Sequence, residues 1–232
     1  MTKEAILAGI RRGLKRDALP EDQAAMLRAR LQGHPRQLIP ARSRVGRPEL
    51  VALFVANLEK EFATVSRVPD SGEIPGAVAE YLARQILPTE LVVAPHPELR
   101  AIPWDTRPLL RLREGRAEGT DQVSLQQAFA AIAETGTLML PSAPERPTTI
   151  NLLADTEIVI LRTSRLVGPY EEAWDLLRAE NHDALSGGFM PRNVMLVTGP
   201  SRSADIEQTL ELGAHGPRRL HVVLVEDDPA AR

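Results

Sequence analysis

Apolar positions along this chain recur either every three to four residues or in short unbroken runs, the two signatures of helices packed on a sheet. Ile6, Ile10 and Leu14 stand at four-residue steps beside Leu7, which predicts a short amphipathic helix over residues 2–15. Pro20 opens a second helix, because its fixed φ suits the first helical position, and the Ala24, Leu27, Leu31 stripe ends near Gly33. From His34 to Pro48 the pattern disappears, broken by Pro35, Pro40, Gly46 and Pro48. Pro48 to Phe62 then predicts a helix with a broad apolar face (Leu50, Val51, Phe54, Val55, Leu58). Ala63 to Val68 alternates like a strand, Ile74 to Ile86 is helical with Val78, Leu82 and Ile86 in line, and Leu91 to Ala94 is a short buried strand.

A strand near Leu109 to Leu112 follows, with Trp104 as a core or interface anchor. Leu125 to Ala133 is expected to be helical, Leu138 to Leu140 a strand, residues 141–149 a Pro-rich loop, Asn151 to Ala154 a helical turn and Ile158 to Leu161 a strand. Tyr170, Ala173, Trp174 and Leu177 fall on one helical face, and Gly187-Gly188 form a loop. Val194 to Val197 suits a strand buried on both faces, as in a parallel sheet. Gly199 and Pro200 stop it, Ser201 or Ser203 caps a helix with Asp205 and Glu207 in its first turn, and Ile206 and Leu210 give that helix its stripe. Gly213, Gly216 and Pro217 end it, and Leu220 to Val225 returns as a buried strand. Repeated strand–helix alternation predicts a three-layer α/β domain with a mostly parallel sheet.

The wording AIAETGTLML (Ala131 to Leu140) and TGPSRSADIEQTLELGAHGPRRLHVVLV (Thr198 to Val225), with HPRQLIPAR (His34 to Arg42), resembles the LUD-domain family of lactate-utilisation protein C. The resemblance implies a sheet like that of sugar-phosphate isomerases and CoA transferases, preceded by an N-terminal helical extension. Residues 1–47 would be the extension with its Arg/Pro-rich arm, and residues 48–232 the LUD-like domain. Residues 121–130 (DQVSLQQAFA) depart from the glycine-and-acid wording many members carry there.

Composition narrows the chemistry. With 43% hydrophobic and 25% charged residues the 232-residue chain is ordinary for a soluble globular protein. A formal charge of -3 gives no general reason to expect nucleic acid or an acidic membrane surface as partner. The absence of cysteine excludes a thiol nucleophile and cysteine-ligated iron–sulfur clusters within these residues. Arg11-Arg12 is not followed by an apolar stretch, so the expected location is the cytoplasm. Arg36, Arg42, Arg44 and Arg47 make the arm either a solvated loop or an anion- or partner-binding segment, across an oligomer interface if the protein is a homo-oligomer.

Two loops carry candidate chemistry. Glu134-Thr135-Gly136-Thr137 offers a carboxylate, two hydroxyls and a turn glycine beside a strand, fit to hold a polar ligand or position a general base; the alternative is a helix end and a plain turn. Because some CoA transferases use a glutamate nucleophile, the resemblance makes Glu134 the candidate catalytic residue. Gly199, Pro200, Ser201, Arg202 and Asp205 form the second loop, where backbone N–H groups and Arg202 favour an anion while Asp205 and Glu207 oppose one. A capped strand–helix turn would explain the same residues. Expected ligands are a small carboxylate or a phosphorylated compound. No Walker or dinucleotide fingerprint is present. The serines lack a nucleophile-elbow context. His215 and His221 lack metal-ligand spacing, and His34, His96 and His182 stand isolated, so neither metal nor cofactor is expected.

The resemblance implies a non-redox component of L-lactate oxidation, working with partner proteins that carry the iron–sulfur centres. Two other readings stand beside it. One is a stand-alone isomerase or acyl/CoA-transfer-type enzyme using Glu134. The other is a structural or regulatory partner with a vestigial pocket.

Overall fold

The computed structural model describes residues 2–15, 19–181, 188–204 and 210–228. It divides into two compact units, residues 1–39 and 40–232. The first unit holds α1 (Lys3–Gly13) and α2 (Glu21–Gly33), neither of which buries a residue. Thr2 caps α1 by accepting from the Ala5 N–H at 3.3 Å, which satisfies one donor the first turn leaves free.

The second unit runs through α3 (Arg47–Lys60), β1 (Thr64–Val68), α4 (Ile74–Arg84), β2 (Glu90–Val93) and the one-turn α5 (Pro97–Arg100). Then come β3 (Arg111–Glu114), β4 (Val123–Gln127), β5 (Ala130–Ile132), β6 (Thr137–Pro141), β7 (Thr156–Arg162) and β8 (Leu166–Val167). After α6 (Tyr170–Glu180) the chain continues through β9 (Val194–Val197), β10 (Arg202–Ala204), β11 (Leu210–Leu212) and β12 (Arg219–Val225).

Six strands form the main sheet in the order β1-β12-β7-β4-β2-β3, and every neighbouring pair is parallel. The apolar runs read from the sequence are its centre: Val222 lies opposite Val159, and Leu125 opposite Ile158. Helix α4 covers one face with Ile74, Val78 and Leu82, all buried at four-residue steps. Helix α3 covers the other with Leu50, Phe54 and Leu58. Full burial of such side chains contributes about 1.5–3 kcal/mol each, which is what holds the layers together. This is the expected α/β arrangement of a mostly parallel sheet flanked by helices.

A second sheet, ordered β8-β5-β6-β9, joins α3 on that face. Leu138 and Leu140 point towards the main sheet, while Met139 packs under Ala173 and Leu177 of α6. Strand pairing corrects three expectations. Leu125 to Ala133 is not a helix but β4, a short break and β5; every residue from Val123 to Ala133 is buried, so burial overrides the helical bias of this Ala- and Gln-rich stretch. Val194 to Val197 is not a doubly buried parallel strand: it pairs antiparallel with β6, and Leu196 is 43% exposed.

The third correction concerns the helix expected after Gly199. Its described flanks are the strands β10 and β11, paired antiparallel as Arg202↔Leu212 and Ala204↔Leu210. Backbone bonds from Gly213 N to Ser201 O (3.0 Å) and from Ser201 N to Pro217 O (2.8 Å) extend that ladder, giving the segment partners a helix would forgo. Asp205, Ile206 and Glu207 lie outside the described residues, as do His182, Ser186 and Gly187. The turn expected at Asn151–Ala154 is a single 3-10 turn at Thr148–Asn151.

Candidate functional site

The Glu134 turn joins β5 to β6 at the end of α3. Gly136 has φ +68, and a Cβ there would stand 2.6 Å from the Leu58 nitrogen. Only glycine permits that approach without strain. Asn57 clamps the same turn by donating its side-chain amide to the carbonyls of Ala133 (2.9 Å) and Glu134 (3.1 Å). Glu134 itself accepts from Arg42 at 3.2 Å, its side chain 14% exposed.

Thr137 is the centre of a hydroxyl cluster, 2.6 Å from Thr135 Oγ1, 2.6 Å from Thr198 Oγ1 and 3.0 Å from the Tyr170 hydroxyl. The cluster exists because β6 and β9 pair in a register that sets Leu138 opposite Val197. Gly199 follows with φ +84, its α-carbon pressed towards the Glu61 carbonyl, where a Cβ would come within 2.4 Å. The two sequence-identified loops therefore meet at the end of α3 through Thr137 and Thr198. Farther along, Ser201 turns to the Gly213–Pro217 segment, its hydroxyl accepting from the His215 N–H at 3.2 Å. Arg202 pairs with Glu61 at 2.8 Å and lies over the Phe62 ring. Pro200 is half-buried. His221 is buried, stacked on Tyr81 with ring centroids 3.8 Å apart and bonded to Thr64 at 2.8 Å. Burial lowers its pKa to about 4.

Topology points to a second place. The chain passes from β2 outward to β3 and then returns across β2 to β4, after which β7 and β12 are added on the other side. Open α/β sheets bind ligands beyond the carboxyl ends of strands at such a reversal. Three strand ends there supply polar groups that the sequence reading passed over. His96 follows β2, Gln127 ends β4 and Arg162 ends β7.

Glu98 of α5 accepts from both Gln127 and Arg162, each at 2.8 Å. Burial pushes the Glu98 carboxyl up, but these bonds outweigh it and leave the pKa below the usual value. Arg165 donates to the Phe129 carbonyl at 2.7 Å and forks onto Glu180. Arg146 differs from its neighbours. Its side chain is 20% exposed, its one carboxylate contact is Glu145 at 3.7 Å, and its Nε has no hydrogen-bond partner among the described residues. Its Nη2 stands 3.2 Å from His96 Nε2, and its guanidinium flanks the Phe129 ring.

Burial first, then the Arg146 charge, hold the His96 imidazole below its ordinary pKa, so the ring is neutral at pH 7. A neutral imidazole accepts at one nitrogen only. With the Glu98 N–H 3.3 Å from Nδ1 and Arg146 Nη2 3.2 Å from Nε2, the ring can accept only one of the two bonds. An anionic oxygen beside Arg146 would supply the acceptor that its Nε lacks. Among the described residues no group of His, Asp and Glu has metal-binding geometry.

Residues 116–225, from the end of β3 to β12, match the family model described as LUD domain. This part of the chain is similar to a LUD domain. It contains the Glu134 turn, Gln127, Arg146 and Arg162, whereas His96 and Glu98 precede it. The chain is 38% identical over 105 residues to lactate utilization protein C of Exiguobacterium sp., covering 45% of this chain and 44% of that protein. It is 34% identical over 116 residues to lactate utilization protein C of Bacillus subtilis, covering 49% and 47%. An uncharacterised protein of Neisseria meningitidis serogroup B is 41% identical over 101 residues, covering 44% and 41%. The chain thus spans about half the length of these curated relatives or less. The crystal structure of a DUF162 family protein from Deinococcus radiodurans superposes with TM-score 0.57 at 24% identity, over 78% of this chain and 99% of that one. That likeness establishes a shared fold. Among the described residues, no helix is long and apolar enough to cross a membrane.

Proposed function

We propose that this protein is a non-redox component of a lactate-utilisation system and holds a small carboxylate at Arg146 and His96. The observation that carries the reading is the Arg146 guanidinium beside the sheet's topological reversal, whose Nε has no hydrogen-bond partner among the described residues. This half-buried guanidinium and the neutral His96 imidazole beside it form a site that an anionic oxygen completes. The names of the curated relatives supply the pathway. With no cysteine in these residues, electron transfer falls to partner proteins, and iron–sulfur proteins of the same system are the partners this reading requires.

Titrating the full chain with L-lactate and with pyruvate, followed by NMR or calorimetry, tests the site. Saturable binding of at least one ligand is expected, weakened tenfold or more by Arg146→Gln. Absence of binding to both, or binding that Arg146→Gln leaves unchanged, refutes the site. Deleting the gene tests the pathway: normal growth on L-lactate in a strain without a paralogue refutes that assignment. The reading in which Glu134 serves a stand-alone isomerase or acyl/CoA-transfer-type enzyme requires the Arg42 pair to open, and turnover that survives Glu134→Gln would end it.

A further inference from the structure

Arg146 also lines a hollow of about 560 Å³ that reaches beyond the sheet edge to Arg116, which follows β3, and Arg192, which precedes β9. Ser142, Thr149 and Asn193 complete the part of its wall that bears on ligand chemistry. No Asp or Glu lines it. Among the described residues neither Arg116 nor Arg192 pairs with a carboxylate, unlike Arg100, Arg113, Arg162 and Arg165 nearby. Thr149 Oγ1 is buried without a hydrogen-bond partner among the described residues and lies on this wall, as does the Arg146 side chain whose Nε is likewise unpartnered.

Two other hollows differ in charge. One of about 330 Å³ has Glu90 paired with Arg111 and Asp121 with Arg113. The other, about 800 Å³ and shallower, has Glu80 paired with Arg84. The first balances two arginines with two carboxylates and the second sets Glu73 and Glu80 against three arginines, whereas the cavity at Arg146 keeps three cations without a carboxylate on its wall. A three-carbon hydroxy acid offers one carboxylate and would leave Arg116 and Arg192 unused. The volume is within the range of cavities that enclose a small organic ligand, about 300–1,000 Å³.

We infer that this cavity takes a phosphate-bearing small molecule, with Arg116 and Arg192 gripping the phosphate and the Thr149 hydroxyl donating to it. Guanidinium groups bind phosphate through paired N–H donors in a planar fork, and two of them on separate loops converge on a group carrying up to two negative charges. The inference rests on the previous reading only in sharing Arg146, which would hold the ligand's inner end.

Calorimetric titration of the full chain with sodium pyrophosphate is the test, with acetate and L-lactate as monoanionic comparisons. Pyrophosphate is expected to bind at least tenfold more tightly than acetate. Arg116→Ala combined with Arg192→Ala should weaken it tenfold or more while leaving L-lactate affinity unchanged. Both arginines are exposed, so the double variant is expected to keep the parent's thermal midpoint; Arg116→Lys with Arg192→Lys, which retains the charges, should restore part of the affinity. Pyrophosphate binding that the double alanine variant does not weaken, or no binding at all, overturns the inference. Loss of L-lactate binding alone would fall on the proposed function instead. Binding of single-stranded oligonucleotides in preference to pyrophosphate would assign the cations to a nucleic acid and overturn the small-molecule reading.

Discussion

Glu157 lies on β7 between the two sheets, 1% exposed. Among the described residues its side-chain partner is the Gln126 amide, which donates to it and to Asn151. No cation pairs with it among the described residues, and burial raises its pKa from 4.5 to about 7. The unfolded chain releases this proton near 4.5 and the folded chain holds it to about 7, so stability is fully present below pH 4.5 and lost as pH rises towards 7. At 1.36 kcal/mol per pH unit, the loss amounts to about 3 kcal/mol. His221 works in the opposite sense. Its pKa falls from 6.5 to about 4, so its contribution is present above pH 6.5 and lost as pH falls towards 4, again by about 3 kcal/mol.

Between pH 4.5 and 6.5 the two slopes oppose each other, and the parent protein should show a shallow dependence from this pair. Glu157→Gln removes one slope and leaves the other. Urea unfolding of parent and variant, measured at half-unit steps from pH 5 to 8, isolates it. The free-energy difference between variant and parent should shift in the variant's favour by about 2.5 kcal/mol across that range, whatever the fixed cost of the substitution. Curves that stay parallel would refute the account, because they would mean Glu157 is ionised in the folded protein throughout.

Other substitutions follow from the same geometry. Gly136→Ala puts a Cβ 2.6 Å from the Leu58 nitrogen at φ +68; a cost of about 3 kcal/mol should lower the thermal midpoint by roughly 6–12 °C. Arg47 donates to the Leu166 and Thr163 carbonyls, each at 2.5 Å, and to Asp228 at 3.0 Å, a three-way fork that lysine lacks. Arg47→Lys should therefore destabilise by about 2 kcal/mol in urea, and no change in the midpoint would contradict that role. Thr137→Val removes the hydroxyl shared by Thr135, Tyr170 and Thr198; about 1–3 kcal/mol should be lost, read as a lower thermal midpoint.

The parallel sheet and its main helices were legible because burial there repeats at a simple period. Leu50, Phe54 and Leu58 on α3, and Ile74, Val78 and Leu82 on α4, mark helical faces, and the runs in β7 and β12 mark strands buried on both sides. The second sheet was not legible. Gln126, Gln127 and the alanines from Ala128 to Ala133 favour a helix locally, and only long-range pairing with Thr137 to Met139 and with β7 makes them strands. The paired strands β10 and β11 were hidden similarly, since Ile206 and Leu210 stand at a helical interval in sequence. Misreading β4 also concealed the candidate site. Gln127 becomes a strand-end residue only when β4 is a strand, and His96, Arg146 and Arg162 share no motif that would join them.

This separation has a physical cause. The recognisable ETGT and TGPS wording contains glycines with positive φ pressed against the end of α3, and hydroxyls bonded to one another. Those constraints demand particular residues at adjacent positions, so they write a short, readable string. The cations at the carboxyl edge come from different strand ends and loops, and each needs only to reach one region of space, so their spacing in sequence is unconstrained. If this division holds, Thr137→Val should lower the melting temperature and leave L-lactate affinity unchanged, whereas Arg146→Gln should weaken L-lactate binding at little cost in stability. Measuring both quantities on both variants decides it: a Thr137→Val protein of unchanged stability that no longer binds ligand would move the site to the hydroxyl cluster.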